Sequence, residues 1–154
     1  MDKVSLDRIN LLHPAIRDEV KALYNIATLL MPSGTILRIT QGLRAVDEQN
    51  RLYAQGRTLS GKIVTKAKGG SSYHNYGLAF DFCLVKDGKV SWEVNNLWLG
   101  VVKLFTDAGY TWGGNFKSIK DYPHLEKTFG YNWKELLQKH NKKDFITGTE
   151  YVNI

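Results

Sequence analysis

Two histidines and one aspartate in this chain stand in settings that ordinary packing explains poorly. His74 lies in Ser71-Ser72-Tyr73-His74-Asn75-Tyr76-Gly77, just ahead of an apolar stretch, and Asp81 interrupts that stretch between Phe80 and Phe82. A carboxylate in so apolar a segment needs a compensating charge or hydrogen bonds, because desolvation otherwise penalises it. A divalent cation would supply the charge; an edge strand whose other face meets water is the alternative. His124, in Lys120-Asp121-Tyr122-Pro123-His124-Leu125-Glu126, adds a second imidazole. Two histidines and one carboxylate are a ligand set for one catalytic zinc ion, with the fourth position left to water. Water so placed becomes nucleophilic near neutral pH.

Asp121 precedes His124 by a turn-like Tyr-Pro, near a metal without being obliged to bind it. It is the natural general base for such a water and can pass the proton to a leaving amine. Glu126 shares the alternation of His124, as a support or substrate contact, or as a surface carboxylate. Arg44 follows Gln41-Gly42-Leu43 at a strand end. There an arginine can bind a carboxylate bidentately or stabilise an oxyanion, and a surface arginine is the alternative. The other histidines have simpler accounts. His13 precedes Pro14, where capping or packing suffices, and His140 ends a helix whose dipole favours a cation. The lone cysteine, Cys83, excludes internal disulfides and multi-cysteine zinc sites and reads as core packing.

The elements that must position these residues follow from periodicity. Ser5 to Asn10 reads as a short helical turn. Ile16, Val20, Leu23, Tyr24, Ala27 and Leu30 recur at helical spacing from Pro14 to Leu30. Ile36 to Thr40 alternates like a strand. Asp47 to Gln55 reads as a helix with Asp47 as N-cap and Gly56 as its stop. Thr58 to Ser71 is a long loop rich in Gly, Ser, Thr and Lys. From Gly77 to Val85, Leu78, Phe80, Phe82 and Leu84 point one way, and Gly77, Ala79, Asp81 and Cys83 the other. Asp87-Gly88 signals a hairpin with Lys89 to Trp92 returning. Asn95 to Ala108 and Trp133 to His140 read as helices; Tyr110 to Trp112 and His124 to Glu126 read as short strands. Helices around a small, mostly antiparallel sheet make an α+β fold.

With 154 residues the chain suits one domain, 1–154, and its 43% apolar content argues against disorder. The net charge of +6 predicts attraction to a polyanion. A nucleic-acid partner is not expected, since no basic helix or aromatic-basic stripe is present. The loop cluster Lys62, Lys66 and Lys68, like Lys139, Lys142 and Lys143, reads as solvated surface. No apolar run reaches the roughly 20 residues of a membrane span, and the first residues lack an apolar signal-peptide core. Synthesis in the cytoplasm, without membrane insertion, is the expectation, with a separate helper if the substrate lies outside.

Ser72-Tyr73-His74-Asn75-Tyr76-Gly77-Leu78-Ala79-Phe80-Asp81 resembles the S-x-H-x-x-G-x-A-x-D signature of the zinc D,D-carboxypeptidase and L-alanyl-D-glutamate peptidase family, which includes VanY-type enzymes and phage endolysins. Asp121-Tyr122-Pro123-His124 resembles its D-x-x-H signature, and Trp112-Gly113-Gly114 fits as well. Gln41-Gly42-Leu43-Arg44, Glu48-Gln49 and Leu52 to Thr58 resemble the stretch with the substrate arginine. The similarity runs from about His13 to Glu126. It implies His74, Asp81 and His124 as zinc ligands, Asp121 as catalytic base, Arg44 as a contact to substrate or transition-state oxygen, and Gln49 and Ser72 as site-lining residues. It also implies the fold shared with the Hedgehog signalling domain. Ala45 departs from a frequent Ser or Thr, Asn115-Phe116 from Asp-Trp, and Leu125 from Phe. The implied activity is cleavage of a peptidoglycan stem peptide by a monomer. An endolysin-type L-alanyl-D-glutamate endopeptidase leads, with a holin or similar helper giving access to the wall. A D-alanyl-D-alanine carboxypeptidase or dipeptidase is the runner-up, and a non-catalytic wall-binding module stands third.

Overall fold

A computed structural model describes residues 2–154 and holds five α-helices and five short strands among them. The central strand is β2 (Ala79–Lys86). It pairs antiparallel with β1 (Thr35–Gln41) along one side. Its other side meets β5 (His124–Glu126) at one end and β3 (Lys89–Ser91) at the other, and β4 (Thr111–Trp112) extends the sheet beyond β5. The edge-strand account of Asp81 is thereby overturned, because β2 has neighbours on both sides.

The alternation expected in β2 sorts the two faces of the sheet. Leu84 stands opposite Leu37, Phe82 opposite Ile39 and Phe80 opposite Leu125, and all six belong to the core. The helices α2 (Pro14–Leu29) and α4 (Asn96–Asp107) supply Ile16, Val20, Tyr24, Trp98 and Phe105 to that core. Phe82 packs on Trp98 with ring centroids 4.3 Å apart, and Phe80 meets Phe105 edge-on at 5.0 Å. Such aromatic pairs contribute beyond their buried area. The opposite face of the sheet carries Ala79, Asp81, Cys83, His124 and Glu126, and Cys83 is buried as expected.

Local chemistry sets the ends of the elements. Asp2 caps α1 (Lys3–Ile9), so this helix starts earlier than Ser5. His13 caps α2 by accepting the Ala15 N–H at 3.1 Å, with Pro14 in the first turn. α3 spans Val46–Ala54. Its N-cap is Ala45 and not Asp47, which lies inside the first turn, where its charge favours the helix dipole. Asp87 and Gly88 both adopt positive φ, the geometry of a tight hairpin turn. The last helix, α5 (Trp133–Asn141), begins at a capping box of Asn132 and Glu135.

Candidate metal centre

Asp81 and His124 are direct partners across the β2–β5 pair, so their side chains leave one face of the sheet side by side. His74 reaches them from a 3-10 turn, Tyr73–Tyr76. Ser72 caps this turn: its Oγ accepts the His74 N–H at 3.3 Å, and Asn75 Oδ1 accepts the Ser72 N–H at 3.3 Å. Gly77 closes the turn with φ +69°, and a Cβ there would meet the His13 amide nitrogen at 2.8 Å. This turn is why β2 starts at Ala79 and not at Gly77.

The three side chains form a nearly equilateral triangle of donor atoms. His74 Nε2 lies 3.1 Å from Asp81 Oδ1 and 3.2 Å from His124 Nδ1, and His124 Nδ1 lies 3.2 Å from Asp81 Oδ1. The outer nitrogens assign the tautomers. His74 Nδ1 is 2.8 Å from the Gly42 carbonyl oxygen, which only accepts, so Nδ1 carries the hydrogen. His124 Nε2 donates in the same way to Glu126 Oε2 at 2.7 Å. Both inner nitrogens then point their lone pairs at each other and at a carboxylate oxygen. Three acceptors so aligned repel one another unless a proton or a cation sits among them. A tetrahedral ion bonded at about 2.0–2.1 Å separates its donors by about 3.3 Å, close to the edges of this triangle. The residues therefore fit a small divalent metal.

The electrostatics agree. Burial works against a charged His124, but hydrogen bonds to Asp81 and Glu126 and their charges outweigh it and push the imidazole up to about 10. Burial likewise opposes an ionised Asp81, yet the two imidazoles hold its carboxyl well below the usual range. Asp121 stands beside the triangle and not in it, with Oδ2 4.0 Å from His124 Nδ1 and its side chain half exposed. Burial, and then the charge of Asp81, push its carboxyl up. Proton transfer is most efficient when the acceptor's pKa approaches the working pH.

The turn that carries Asp121 and His124 is strapped to the segment before it. The Gly113 carbonyl accepts the Asp121 N–H at 3.0 Å. Trp112 Nε1 donates to the Tyr122 carbonyl at 2.7 Å, and Lys120 Nζ donates to the Gly114 carbonyl at 2.9 Å. A Cβ on Gly113 would collide with the Asp121 carbonyl. Arg44 closes the other side: Nη2 lies 3.6 Å from Asp81 Oδ2, and Nη1 donates to Gln49 Oε1 at 2.9 Å. Its Nε is buried with no hydrogen-bond partner among the described residues. The cleft over the triangle holds about 480 Å³, with Arg44, Ser72, Tyr73, Phe116 and Asp121 in its walls. Two wider cavities, of about 1000 and 720 Å³, include none of the three donors.

Of the residues expected at the site, Gln49 is placed differently. It is fully buried behind Arg44, and its Nε2 donates to the Ala67 carbonyl at 2.8 Å. It supports the arginine and the following loop and presents no surface to a substrate. Sequence reasoning missed the Gly42 carbonyl, because a backbone acceptor leaves no trace in residue type. It also left Glu126 undecided. His13 and His140 lie elsewhere, the first bonded to the Val152 carbonyl at 2.8 Å and the second packed on Phe145.

A family model described as D-alanyl-D-alanine carboxypeptidase matches residues 65–127, the span that contains the triangle and Asp121. The chain is 46% identical over 124 residues to the peptidoglycan L-alanyl-D-glutamate endopeptidase CwlK of Bacillus subtilis, a match covering 75% of this chain and 72% of that protein. The chain belongs to this peptidase family. Members of the family are metallopeptidases, and the chain has a candidate metal site of the corresponding chemistry. The fold agrees as well. The crystal structure of the Serratia marcescens L-Ala D-Glu endopeptidase ChiX aligns with a TM-score of 0.60 at 24% identity, covering 84% of this chain and 90% of that one.

The peptidase departs from the family pattern where the fold can absorb the change. Leu125 is fully buried on the core face, opposite to His124, where one large apolar side chain replaces another. Phe116 still sets an aromatic ring 5.7 Å from the His124 ring. Ala45 occupies an N-cap and makes no side-chain hydrogen bond there.

Proposed function

We propose that this chain is a zinc-dependent endopeptidase that hydrolyses the L-alanyl–D-glutamate bond of peptidoglycan stem peptides. The observation that carries the chemistry is the triangle of His74 Nε2, Asp81 Oδ1 and His124 Nδ1, with Asp121 beside it. These three atoms would hold one zinc ion. A zinc ion held there supplies Lewis acidity and lowers the pKa of water. Asp121 then takes the proton from the attacking water and delivers it to the amide nitrogen as the C–N bond breaks. Arg44 lines the cleft, with its Nη2 3.6 Å from Asp81, and its guanidinium donates to the carbonyl oxygen or to a substrate carboxylate. Glu126 keeps His124 in the tautomer that turns Nδ1 inward. Ser72 holds the turn that presents His74.

The choice of bond rests on kinship with CwlK, which is named for the L-alanyl-D-glutamate linkage. Because that substrate lies in the wall, the chain would act there as a monomer, with a holin or similar helper providing access. Among the described residues no helix is long and apolar enough to cross a membrane. The description of the matching family favours a second reading, removal of a terminal D-alanine. Weighing the fragments of purified muropeptides after digestion separates the two. New L-alanyl and D-glutamyl ends are expected. Loss of a single terminal D-alanine rejects the endopeptidase, and cleavage that persists after complete metal removal rejects the metal mechanism.

A further inference from the structure

The cleft continues past the metal donors into a second groove. Ala67 and Ser71 line both, and Lys66, Lys68 and Trp133 complete a space of about 400 Å³. The loop that carries these lysines is held in place by polar side chains beneath it. Gln49 Nε2 donates to the Ala67 carbonyl at 2.8 Å, the Gly69 N–H to Asn50 Oδ1 at 2.9 Å, and the Gly70 N–H to Asn75 Oδ1 at 3.0 Å. Tyr76 donates its hydroxyl to the Gly70 carbonyl at 2.6 Å. A Cβ at Gly69 would meet Asn50 and Val46 at 2.7 Å, so the loop lies directly on α3.

On this fixed backbone Lys66 and Lys68 are exposed. Lys3, Lys86, Lys103, Lys127 and Lys139 pair with carboxylates; among the described residues Lys66 and Lys68 do not. Lys68 Nζ lies 5.4 Å from the Tyr53 ring, which Arg57 also covers at 4.0 Å. Arg57 in turn gives its hydrogen bonds to backbone carbonyls of Tyr53 and Thr65. Two lysines with no carboxylate partner among the described residues thus stand at one end of the continuous cleft, and Asp81, Asp121 and Glu126, with Arg44 beside them, at the other.

A peptide that passes through D-glutamate uses either its α- or its side-chain carboxyl for the chain and leaves the other free. The segment beyond it ends in a further carboxylate, whereas the L-alanyl side offers only neutral amides. We propose that Lys66 and Lys68, with Trp133 as the apolar wall, form a subsite for the carboxylates on the D-glutamate side of the scissile bond. The subsite rests on the endopeptidase assignment made above. It sets the direction in which the peptide lies: the acidic half is drawn to the lysines. Exposed charges add modest affinity and speed encounter, so the effect falls on KM.

The test compares wild-type zinc enzyme with the Lys66→Glu/Lys68→Glu double variant on two soluble stem peptides, one with free carboxylates and one with the same groups as carboxamides. The expected result is a rise in KM of roughly three- to tenfold for the variant on the carboxylate peptide, with kcat little changed. On the carboxamide peptide the two proteins should have equal KM. Equal KM on both peptides, or the same rise on both, overturns the subsite. Normal kinetics on soluble peptide with weakened binding to whole walls also overturns it, because the lysines would then serve an anionic wall polymer. If the wild type leaves the L-alanyl–D-glutamate bond of both peptides intact, the endopeptidase assignment fails instead.

Discussion

His124 donates its Nε2–H to Glu126 at 2.7 Å, two residues along the same short strand. Alternate residues of a strand share a face, so a single three-residue strand supplies both an inward-facing nitrogen and the carboxylate that fixes its tautomer. Outer partners of this kind hold ligand rings in place, and their loss commonly weakens metal affinity about 10–100-fold. Glu126→Ala is expected to weaken zinc binding by that order in a chelator competition, with Glu126→Gln, which keeps an acceptor oxygen, falling between it and wild type. Equal affinity in all three proteins would remove Glu126 from the metal site.

Asp121 lies near the donors but is half exposed and outside the triangle. Its replacement should therefore separate chemistry from binding. Asp121→Asn is expected to lower kcat by about 10²–10⁴-fold, the usual contribution of a general base, while zinc affinity stays within a few-fold of wild type. Wild-type turnover by this variant would falsify the proton-carrier role.

Metal and proton compete for His124. In the folded chain its value of about 10 stands above the ordinary 6.5. The stability that its protonated form contributes is complete below the ordinary value and is lost as the pH rises through the folded one. Asp81 has the opposite sense: its carboxyl is held low, so its contribution is present above the ordinary 3.8 and is lost as the solution is acidified. Chelator-treated protein should thus lose Tm between roughly pH 7 and pH 9, and the gain in Tm on adding zinc should widen over the same interval, because the ligand imidazole must be neutral. A zinc-induced gain that shrinks as pH rises across that interval contradicts the assigned donor.

Ala45 begins α3 with extended backbone, φ −62° and ψ 147°, but no side-chain cap. A serine there would accept an amide hydrogen bond from the first turn. Ala45→Ser is expected to stabilise the fold by about 0.5–2 kcal/mol, seen as a Tm increase of a few degrees in thermal unfolding. An unchanged or lower Tm would mean that the first-turn amides are already satisfied.

Much of this protein was legible from residue order alone. The β2 alternation, the helical stripe of α2 and the glycine-bounded turns are local patterns, and they announced an α+β fold with the right elements to within a few residues. His74 and Asp81 are also close in sequence, so a short motif could single them out. The Gly42 carbonyl, the burial of Gln49 and the bond from His124 to Glu126 became visible only in the folded chain. So did the central position of β2 and the pairing of Asp81 with His124. Each of these depends on which strand lies beside which, and in what register. Hydrophobic periodicity sets which face of a strand is buried, but it is the same for every partner that strand could take. Long-range packing chose the partner, and with it the convergence of three donor atoms on one point.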